Sequence, residues 1–563
     1  MSSRDYIEIA TQYARDVVRG KILASKWIHL ACQRMLDDLD SSHDDEYTYV
    51  LNSAKATRAC SFIEKLPHVK GKWAAKHELL VLQPWQVFII VNIFGWVDRS
   101  TGLRKYRQAF LLISRKNGKS PLAAAIGLYM LTADGEHGAE VYCGATTEQQ
   151  AWEVFRPARQ MASKTLPLQT RLGVQINARS LIVPDTGSRF LPVIGSPGDG
   201  ASPSCGICDE YHEATTSDLY DTFKTGMVGR EQPLLLVITT AGYNVGSPCH
   251  LLQQEAEKVL SGTVIDDQWF VAIFTADATV DWTSDDALRM ANPNYGVSVN
   301  VATLQHDQLE AKQNASKQNV FKTKHLNIWC NASVAWMNMV RWRECGDATL
   351  NIEDFKGDDC WIGLDLASKI DIAAAVRVFR RVEKNKPHYY IFPRFYLPTA
   401  RTQDPTCQHY QKWVHDGHLI DTEGAEIDYQ TILRDLVSDA QTYKIKCLAF
   451  DPYNATDLTQ QFTAKTRVNR VEVPQNVKNL SDPMKSLEAG VIGGTVHHDA
   501  NPVMTWMVSN IVAHVDANDN IFPRKQKPEN KIDGVVATII ALSQAVSAPV
   551  QASYSPYYRI QYL

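Results

Sequence analysis

Chemistry is concentrated where apolar runs of this chain end. Residues 111–122 read LLISRKNGKSPL: an apolar strand runs into Arg115-Lys116-Asn117-Gly118-Lys119-Ser120, and a helical stretch follows. A strand, a glycine turn and a helix N-terminus cradle phosphates on backbone N–H groups. Lys119 would reach the β- and γ-phosphates of a nucleotide, and the Ser120 hydroxyl would sit on Mg²⁺. The full GxxxxGK[ST] pattern asks for glycine at position 113, where this chain has Ile113. Taken alone, the run is half a motif, and a surface Gly-Lys turn stays open. Further on, CGICDEYHEA (205–214) ends an apolar strand in Asp209-Glu210. The aspartate can hold the Mg²⁺ shell and the glutamate can polarise an attacking water; two solvated acids capping a strand are the alternative. LLLVITTAG (234–242) ends another strand in Thr239-Thr240, placed either to sense the γ-phosphate or simply to enter a turn. The three signals, in this order, point as a set to ATP hydrolysis. Upstream, LQPWQ (82–86) offers the Gln86 amide to an adenine edge, and Trp85 as a stacking ring or as core.

A second group of acids lies late in the chain. Asp365 sits in the apolar run Trp361-Ile362-Gly363-Leu364-Asp365-Leu366. A carboxylate buried there is costly without a cation or a partner, so a metal site and a structural ion pair are the two options. Asp451 ends CLAFD (447–451) and is a metal ligand or a turn acid. Asp533 opens the last apolar helix and is a ligand or an ordinary helix N-terminal acid.

The elements that must position these groups follow from periodicity. Residues 1–75 read as a helical N-terminal segment. From 76 to 270, short apolar runs alternate with helical stretches: FLLI (110–113), VYCGA (141–145), SLIV (180–183), GICDE (206–210) and LLLVITT (234–240). Continuous apolar strands separated by helices predict a parallel sheet covered on both faces, an α/β P-loop ATPase domain. Residues 271–357 read as a small subdomain and linker. Residues 358–546 open with CWIGLDLA (360–367), AAAVRVFRR (373–381) and HYYIFPRFYL (388–397), a meander followed by alternating helix and strand. That order suits an RNase H-like α/β layout. Residues 547–563 read as a flexible tail.

Bulk properties narrow the class. A chain of 563 residues exceeds one ordinary core. Its 45% hydrophobic and 21% charged residues are an ordinary globular balance, and a net charge of −4 argues against a protein that binds nucleic acid by overall charge alone, leaving any DNA contact to local patches. Eleven cysteines, an odd number without a framework, fit reduced thiols. Cys205-Gly-Ile-Cys208 lacks a second ligand pair for zinc, so packed thiols are the simpler reading. The start, MSSRDYIEIATQ, has no apolar signal segment. The apolar stretches Val87–Val97 and Val535–Val546 are too short or interrupted to cross a bilayer. A soluble intracellular protein is expected, with no membrane partner.

The combination of LQPWQ, SRKNGKS, GATTEQQA (144–151), CDEYHEA and ITTAG resembles the large terminase subunits of tailed phages, especially the group with HK97-like capsids. The likeness runs from roughly residue 10 to 545. Proteins of that family use a phosphate loop without its first glycine, which accounts for Ile113. The resemblance implies a motor that moves viral double-stranded DNA into the procapsid and cuts the DNA concatemer, an ATPase and endonuclease in one chain. It implies Gln86 as adenine reader, Gly118, Lys119 and Ser120 as the phosphate and Mg²⁺ contacts, and Arg115 near the γ-phosphate. Asp209 and Glu210 become the Mg²⁺-shell acid and the catalytic glutamate, and Thr239 and Thr240 the coupling motif. A neighbouring subunit can supply an arginine finger in such rings; Arg156, Arg159 and Arg189 are the candidates.

For the second domain, the same resemblance implies an RNase H-like nuclease in which Asp365, Asp451 and Asp533 hold two divalent cations, Mg²⁺ or Mn²⁺. Asp371 is a further candidate. Asp482 and His497-His498-Asp499 are expected in a solvated loop. Arg524-Lys525-Gln526-Lys527 and Lys531 flank Asp533 and would bind phosphates without reading sequence, or form a solvated charge run. Family partners are the procapsid portal protein, the small terminase subunit and further copies of the chain in a ring, working in the host cytoplasm at the portal vertex. A helicase-type DNA-dependent ATPase with an inactive RNase H-like domain is the alternative, as is a capsid scaffold that kept a P-loop fold.

Overall fold

A computed structural model describes residues 4–194, 200–330, 336–366, 370–384, 386–403, 408–453, 455–516, 519–525 and 530–549. The chain divides into two compact units, one of residues 1–313 and 319–330, the other of residues 314–318 and 331–563. Most of the expected tail, and Gln526 and Lys527 of the basic run, lie outside the described residues.

In the first unit polar caps start the three longer helices of the N-terminal segment. Asp5, Ser25 and Asn52 accept hydrogen bonds from the main chains of Glu8, Ile28 and Lys55, opening helices Tyr6–Val18, Lys26–Ser41 and Ser53–Ile63. A short strand, β1 (Tyr49–Leu51), interrupts them and pairs antiparallel with β2 (Trp96–Asp98). The apolar stretch Val87–Val97 is the buried helix Pro84–Gly95 running into β2.

The main sheet contains β3 (Gln108–Leu112), β4 (Glu140–Ala145), β5 (Gln175–Ile176), β6 (Leu181–Val183), β7 (Ser188–Ile194), β8 (Cys205–Asp209), β9 (Leu234–Thr239) and β10 (Trp269–Ile273), in the order β10-β3-β9-β8-β4-β7-β6-β5. From β10 to β7 every pairing is parallel. Beside the expected parallel strands, β5 and β6 add an antiparallel edge. Residues 175–194 form that edge by short hairpin turns, which leave no room for the helix a parallel crossover requires. The N-terminal helices share one core with the sheet, and the buried Ser25 hydroxyl donates to the Ile273 carbonyl of β10 at 2.7 Å.

The second unit is built on β11 (Asp359–Asp365), β12 (Ala373–Glu383), β13 (Lys386–Pro398), β14 (Ile420–Thr422), β15 (Lys444–Phe450), β16 (Arg470–Glu472) and β17 (Val496–His498). Strands β11, β12 and β13 form an antiparallel meander, β15 adds parallel to β11, and β16 adds parallel to β15. Strands β14 and β17 both join β13. A separate hairpin pairs β18 (Ile511–Val515) with β19 (Ile521–Lys525). The continuous apolar run of β11 exists because both its faces are covered. Trp361 enters one core with the final helix Asp533–Ser547, while Ile362 and Leu364 enter the opposite core.

That final helix crosses β11 at Gly363. A Cβ at this position would stand 1.9 Å from the Ala537 carbonyl oxygen, so only glycine lets strand and helix approach so closely. We expect Gly363→Ala to destabilise the second unit by about 1–3 kcal/mol or more, as overpacking does. Gly493→Ala, where a Cβ meets nothing within 4 Å, serves as control. Thermal unfolding of the full-length variants checks this; equal melting of the two would show that the helix yields freely.

Candidate active sites

The phosphate loop joins β3 to the helix Lys119–Thr132. Ile113 continues the strand, fully buried, its N–H donating to the Thr239 carbonyl at 2.9 Å. The loop then turns through left-handed backbone at Lys116 (φ 69°) and Gly118 (φ 84°). Buried amides fix this shape. Asn117 Nδ2 donates to Asn292 Oδ1 at 2.9 Å, and the Asn294 N–H donates to Asn117 Oδ1 at 2.9 Å. Asn294 Nδ2 donates to the Asn117 carbonyl at 3.1 Å while Trp85 Nε1 donates to Asn294 Oδ1 at 2.8 Å. The Ser298 hydroxyl holds the Lys116 carbonyl at 2.7 Å. The sequence reading missed Asn117, Asn292, Asn294 and Ser298; the only trace of them is the polar cluster Asn292-Pro293-Asn294.

A cavity of about 1410 Å³ opens over this loop, lined by Gln86, Arg115, Lys119, Ser120, Glu210 and Asn294 among others. Gln86 Oε1 accepts from the Gln83 N–H at 2.9 Å, capping its own helix. Its Nε2 points toward Gly118. Lys119 is only 6% exposed, and its ammonium has no hydrogen-bond partner. Glu210 Oε1 stands 3.7 Å from it. Burial lowers the proton affinity of Lys119, against the pull of Glu210 and Asp209. Asp209 ends β8 with Oδ2 buried and unpaired, and burial together with the Glu210 charge pushes its carboxyl up to about 7. Burial also pushes Glu210 up, but Lys119, His212, Arg115 and Lys324 outweigh it and hold this carboxyl below its ordinary value. Glu210 has left-handed backbone, φ 48°. Because β3, β9 and β8 are parallel neighbours, Thr239 and Thr240, both fully buried, end at the same sheet edge as the loop.

A buried ammonium with no hydrogen bond, its ionic partner Glu210 at 3.7 Å, beside a buried carboxylate whose Oδ2 accepts none fits a nucleotide phosphate with a divalent cation. Of the arginine candidates, Arg156 lines the cavity. Arg159 donates to the Asn177 carbonyl at 3.0 Å, and Arg189 pairs with Glu140 at 2.9 Å. Cys205 and Cys208 are buried on β8, and burial pushes both thiols up.

In the second unit, Leu364 of β11 stands beside Phe450 of the parallel β15. Asp365 and Asp451 therefore leave the sheet at the same end. Asp533, first residue of the final helix, comes to the same place. Asp365 is 8% exposed and accepts from Gln475 Nε2 at 3.0 Å. Burial, then the charges of Asp533 and Asp451, push its carboxyl well up. Burial and the Asp371 charge push Asp533 to about 6, and burial raises Asp451. Asp371 accepts from Lys531 Nζ at 2.6 Å. Exposed Arg524 and Lys525 end β19, and the Lys525 charge bears on both Asp365 and Asp533.

Among the described residues, no three His, Cys, Asp or Glu side chains stand close enough to hold a metal ion as they are. The chemistry of the donor set nonetheless fits hard divalent cations: all the candidate ligands are carboxylates, and the charges of Asp533 and Asp451 raise the proton affinity of Asp365. The expectation of a solvated loop at 497–499 is corrected. His497 and His498 lie on β17, with His498 buried, its Nε2 hydrogen-bonded to the Trp342 carbonyl at 2.8 Å and its ring stacked on Trp342. His497 Nε2 meets His388 Nδ1 at 2.9 Å, and Asp482 lies inside the helix Val477–Gly493. Pairing of β17 with β13 leaves His498 buried and His497 half-buried, while Asp482 is exposed on its helix.

Comparison with known proteins accords with this arrangement. A family model described as "Terminase large subunit, ATPase domain" matches residues 84–258, and one described as "Terminase large subunit, endonuclease domain" matches residues 263–548. The chain belongs to the terminase large-subunit family. Protein YmfN of Escherichia coli (strain K12) is 44% identical over 359 residues, 62% of this chain and 79% of its own length. The terminase large subunit of Enterobacteria phage HK97 is 26% identical over 501 residues, 87% of this chain and 95% of its own. The crystal structure of the HK97 large terminase aligns at TM-score 0.43 and 25% identity, over 87% of this chain and 99% of that one. A terminase large subunit is an ATPase and a DNA endonuclease that packages viral DNA, and the endonuclease match sets aside the helicase alternative. No helix among the described residues is long and apolar enough to cross a membrane.

Removing the amide that pins the phosphate loop tests its importance. Asn294→Ala leaves Trp85 Nε1 and the Asn117 carbonyl unpaired, which should lower stability by about 1–3 kcal/mol and weaken nucleotide binding. Melting with and without a non-hydrolysable ATP analogue checks both. Unchanged melting and affinity would show that the loop is held by other contacts.

Proposed function

We propose that the two sites of this terminase work with the residues named above. Lys119 binds the β- and γ-phosphates of ATP on the loop Arg115–Gly118, Ser120 and Asp209 hold Mg²⁺, and Glu210 polarises the attacking water. Thr239 and Thr240 couple the state of the γ-phosphate to movement of DNA, and Gln86 reads the adenine. The observation that most supports this is the pair of buried charged atoms that make no hydrogen bond, Lys119 Nζ and Asp209 Oδ2.

In the second unit Asp365, Asp451 and Asp533 hold two divalent cations, Mg²⁺ or Mn²⁺, and Gln475 orients Asp365. Bound there, the cations would activate water and stabilise the leaving 3′ oxygen. Arg524, Lys525 and Lys531 attract the phosphate backbone of double-stranded DNA without reading its sequence. The segments 1–75, 76–270, 271–357, 358–546 and 547–563 serve as helical lead, motor, linker, nuclease and tail. The chain assembles as a ring of copies on the procapsid portal protein, guided to DNA by the small terminase subunit, in the host cytoplasm.

Separation of function tests the assignment. Lys119→Ala and Glu210→Gln should each lower ATP turnover by on the order of 10²–10⁴-fold while plasmid cutting with Mn²⁺ persists. Asp365→Ala should do the reverse. If Asp365→Ala cuts like the parent, the nuclease assignment fails.

Metal and pH should interact. Asp365 and Asp533 are raised in the folded chain, Asp533 to about 6, above the unfolded carboxylate value of about 3.9. Their contribution to stability is full below about 4 and is lost as pH rises through the folded values. Cations require the deprotonated acids. Mg²⁺ should therefore leave melting nearly unchanged near about pH 5 and raise it by several degrees near about pH 8, and Asp365→Asn should abolish most of the response. A Mg²⁺ effect independent of pH would overturn the carboxylate site.

A further inference from the structure

One lysine of the second unit differs from the basic residues near it in sequence. Arg524 and Lys525 are exposed at the end of β19, whereas the Lys531 side chain is only 13% exposed. Its main chain is fixed from behind: the fully buried Asn510 donates from Nδ2 to the Lys531 carbonyl at 2.9 Å. Its ammonium donates to Asp371 Oδ2 at 2.6 Å. The other oxygen of that carboxylate, Oδ1, accepts from the Ile372 N–H at 3.0 Å. Both oxygens of Asp371 therefore face donors of this chain. Asp371 lies between β11 and β12, six residues after Asp365, and its charge bears on Asp533.

The ion pair limits what each partner can do elsewhere. While the ammonium neutralises Asp371, its single charge does little for a phosphate. Asp371 in turn adds little to the pull of Asp365, Asp451 and Asp533 on a cation. A DNA phosphate is the anion that the nuclease reaction brings to this place. A phosphate that draws Lys531 across keeps the lysine paired and leaves Asp371 without its counter-ion. The negative charge of the site then rises by one as DNA arrives.

Resting on the assignment of Asp365, Asp451 and Asp533 as the acids that hold the cations, we propose that Lys531 is a positioning residue that masks Asp371 in the DNA-free protein and exchanges it for a DNA phosphate, so that DNA raises the cation affinity of the nuclease site. Coupling of this kind is reciprocal, so a bound cation also favours DNA. The exchange moves no proton and breaks no covalent bond. Because Asn510 holds the lysine's main chain, the side chain swings while the backbone leading into Asp533 stays in place.

Four full-length chains without nucleotide test this: the parent, Lys531→Met, Asp371→Asn and the double variant. Cation affinity is read without DNA, from the Mg²⁺ concentration at which melting begins to rise above each variant's own cation-free value. Lys531→Met should raise that affinity by about fivefold or more, the low end of coupling between sites, and should leave it unchanged in the Asp371→Asn background. DNA affinity is read with a short duplex and no divalent cation. Asp371→Asn removes the lysine's carboxylate and should tighten DNA binding severalfold, but not beside Lys531→Met. Lys531→Arg keeps the ion pair and should match the parent in both measurements. Non-additivity is the signature of exchange. Effects of the same size with and without the second substitution, which loss of charge alone would give, overturn the proposal, as does parental Mg²⁺ affinity in Lys531→Met. Asp365→Asn separates the two levels. If it responds to Mg²⁺ like the parent, the nuclease assignment itself fails; if it loses the response while Lys531→Met binds Mg²⁺ like the parent, only the lysine proposal falls.

Discussion

Parallel pairing brings the C-terminal ends of neighbouring strands to the same edge of a sheet, and both sites of this terminase depend on it. In the first unit, the adjacent parallel strands β3, β9 and β8 deliver the phosphate loop, the threonine pair and the acid pair to one edge. In the second, parallel β11 and β15 deliver Asp365 and Asp451 together. No long-range steering of side chains is needed. The chemistry follows from strand order, and strand order from the helical crossovers that parallel pairing requires.

The edge is also where charge is hardest to bury. Lys119 and Asp209 have no hydrogen-bond partner for their buried charged atoms, and Asp365 meets two other acids. Glu210 takes a left-handed backbone that is uncommon for a residue with a side chain, a conformation costing on the order of 1–3 kcal/mol. The largely apolar interior of each sheet offsets these costs: β8 and β9 are buried along their whole length. Rigid cores hold open a site that would otherwise relax by pairing its own charges.

Much of this was legible in the sequence because strand ends mark themselves. GICDE, LLLVITT, CWIGLD and CLAFD each join an apolar run to a polar terminus, and the apolar run of each lies on a strand. Less regular signals were missed. Strand β7, SRFLPVI, alternates and carries a proline, and β10 fell on an assumed boundary because only the fold shows that Trp269–Ile273 pairs with β3. The amides Asn117, Asn292 and Asn294, and Gln475, were invisible for a different reason. Their roles come from pairing across large sequence separations, and an isolated Asn or Gln has no periodicity to betray it. His497 and His498 were misjudged because polar composition suggests a solvated loop, whereas both lie on a strand paired with β13 and His498 is buried.

Gly363 carries a consequence beyond stability. Where the final helix crosses β11, main chain lies against main chain, with no side chain between to act as a cushion. Elsewhere in that core a methyl group can be gained or lost and neighbours shift to suit. At this crossing there is no slack, so the offset between the strand that ends in Asp365 and the helix that begins with Asp533 is a property of the backbone. Apolar residues of the core can then drift through many generations of sequence change while the gauge between these two acids stays constant.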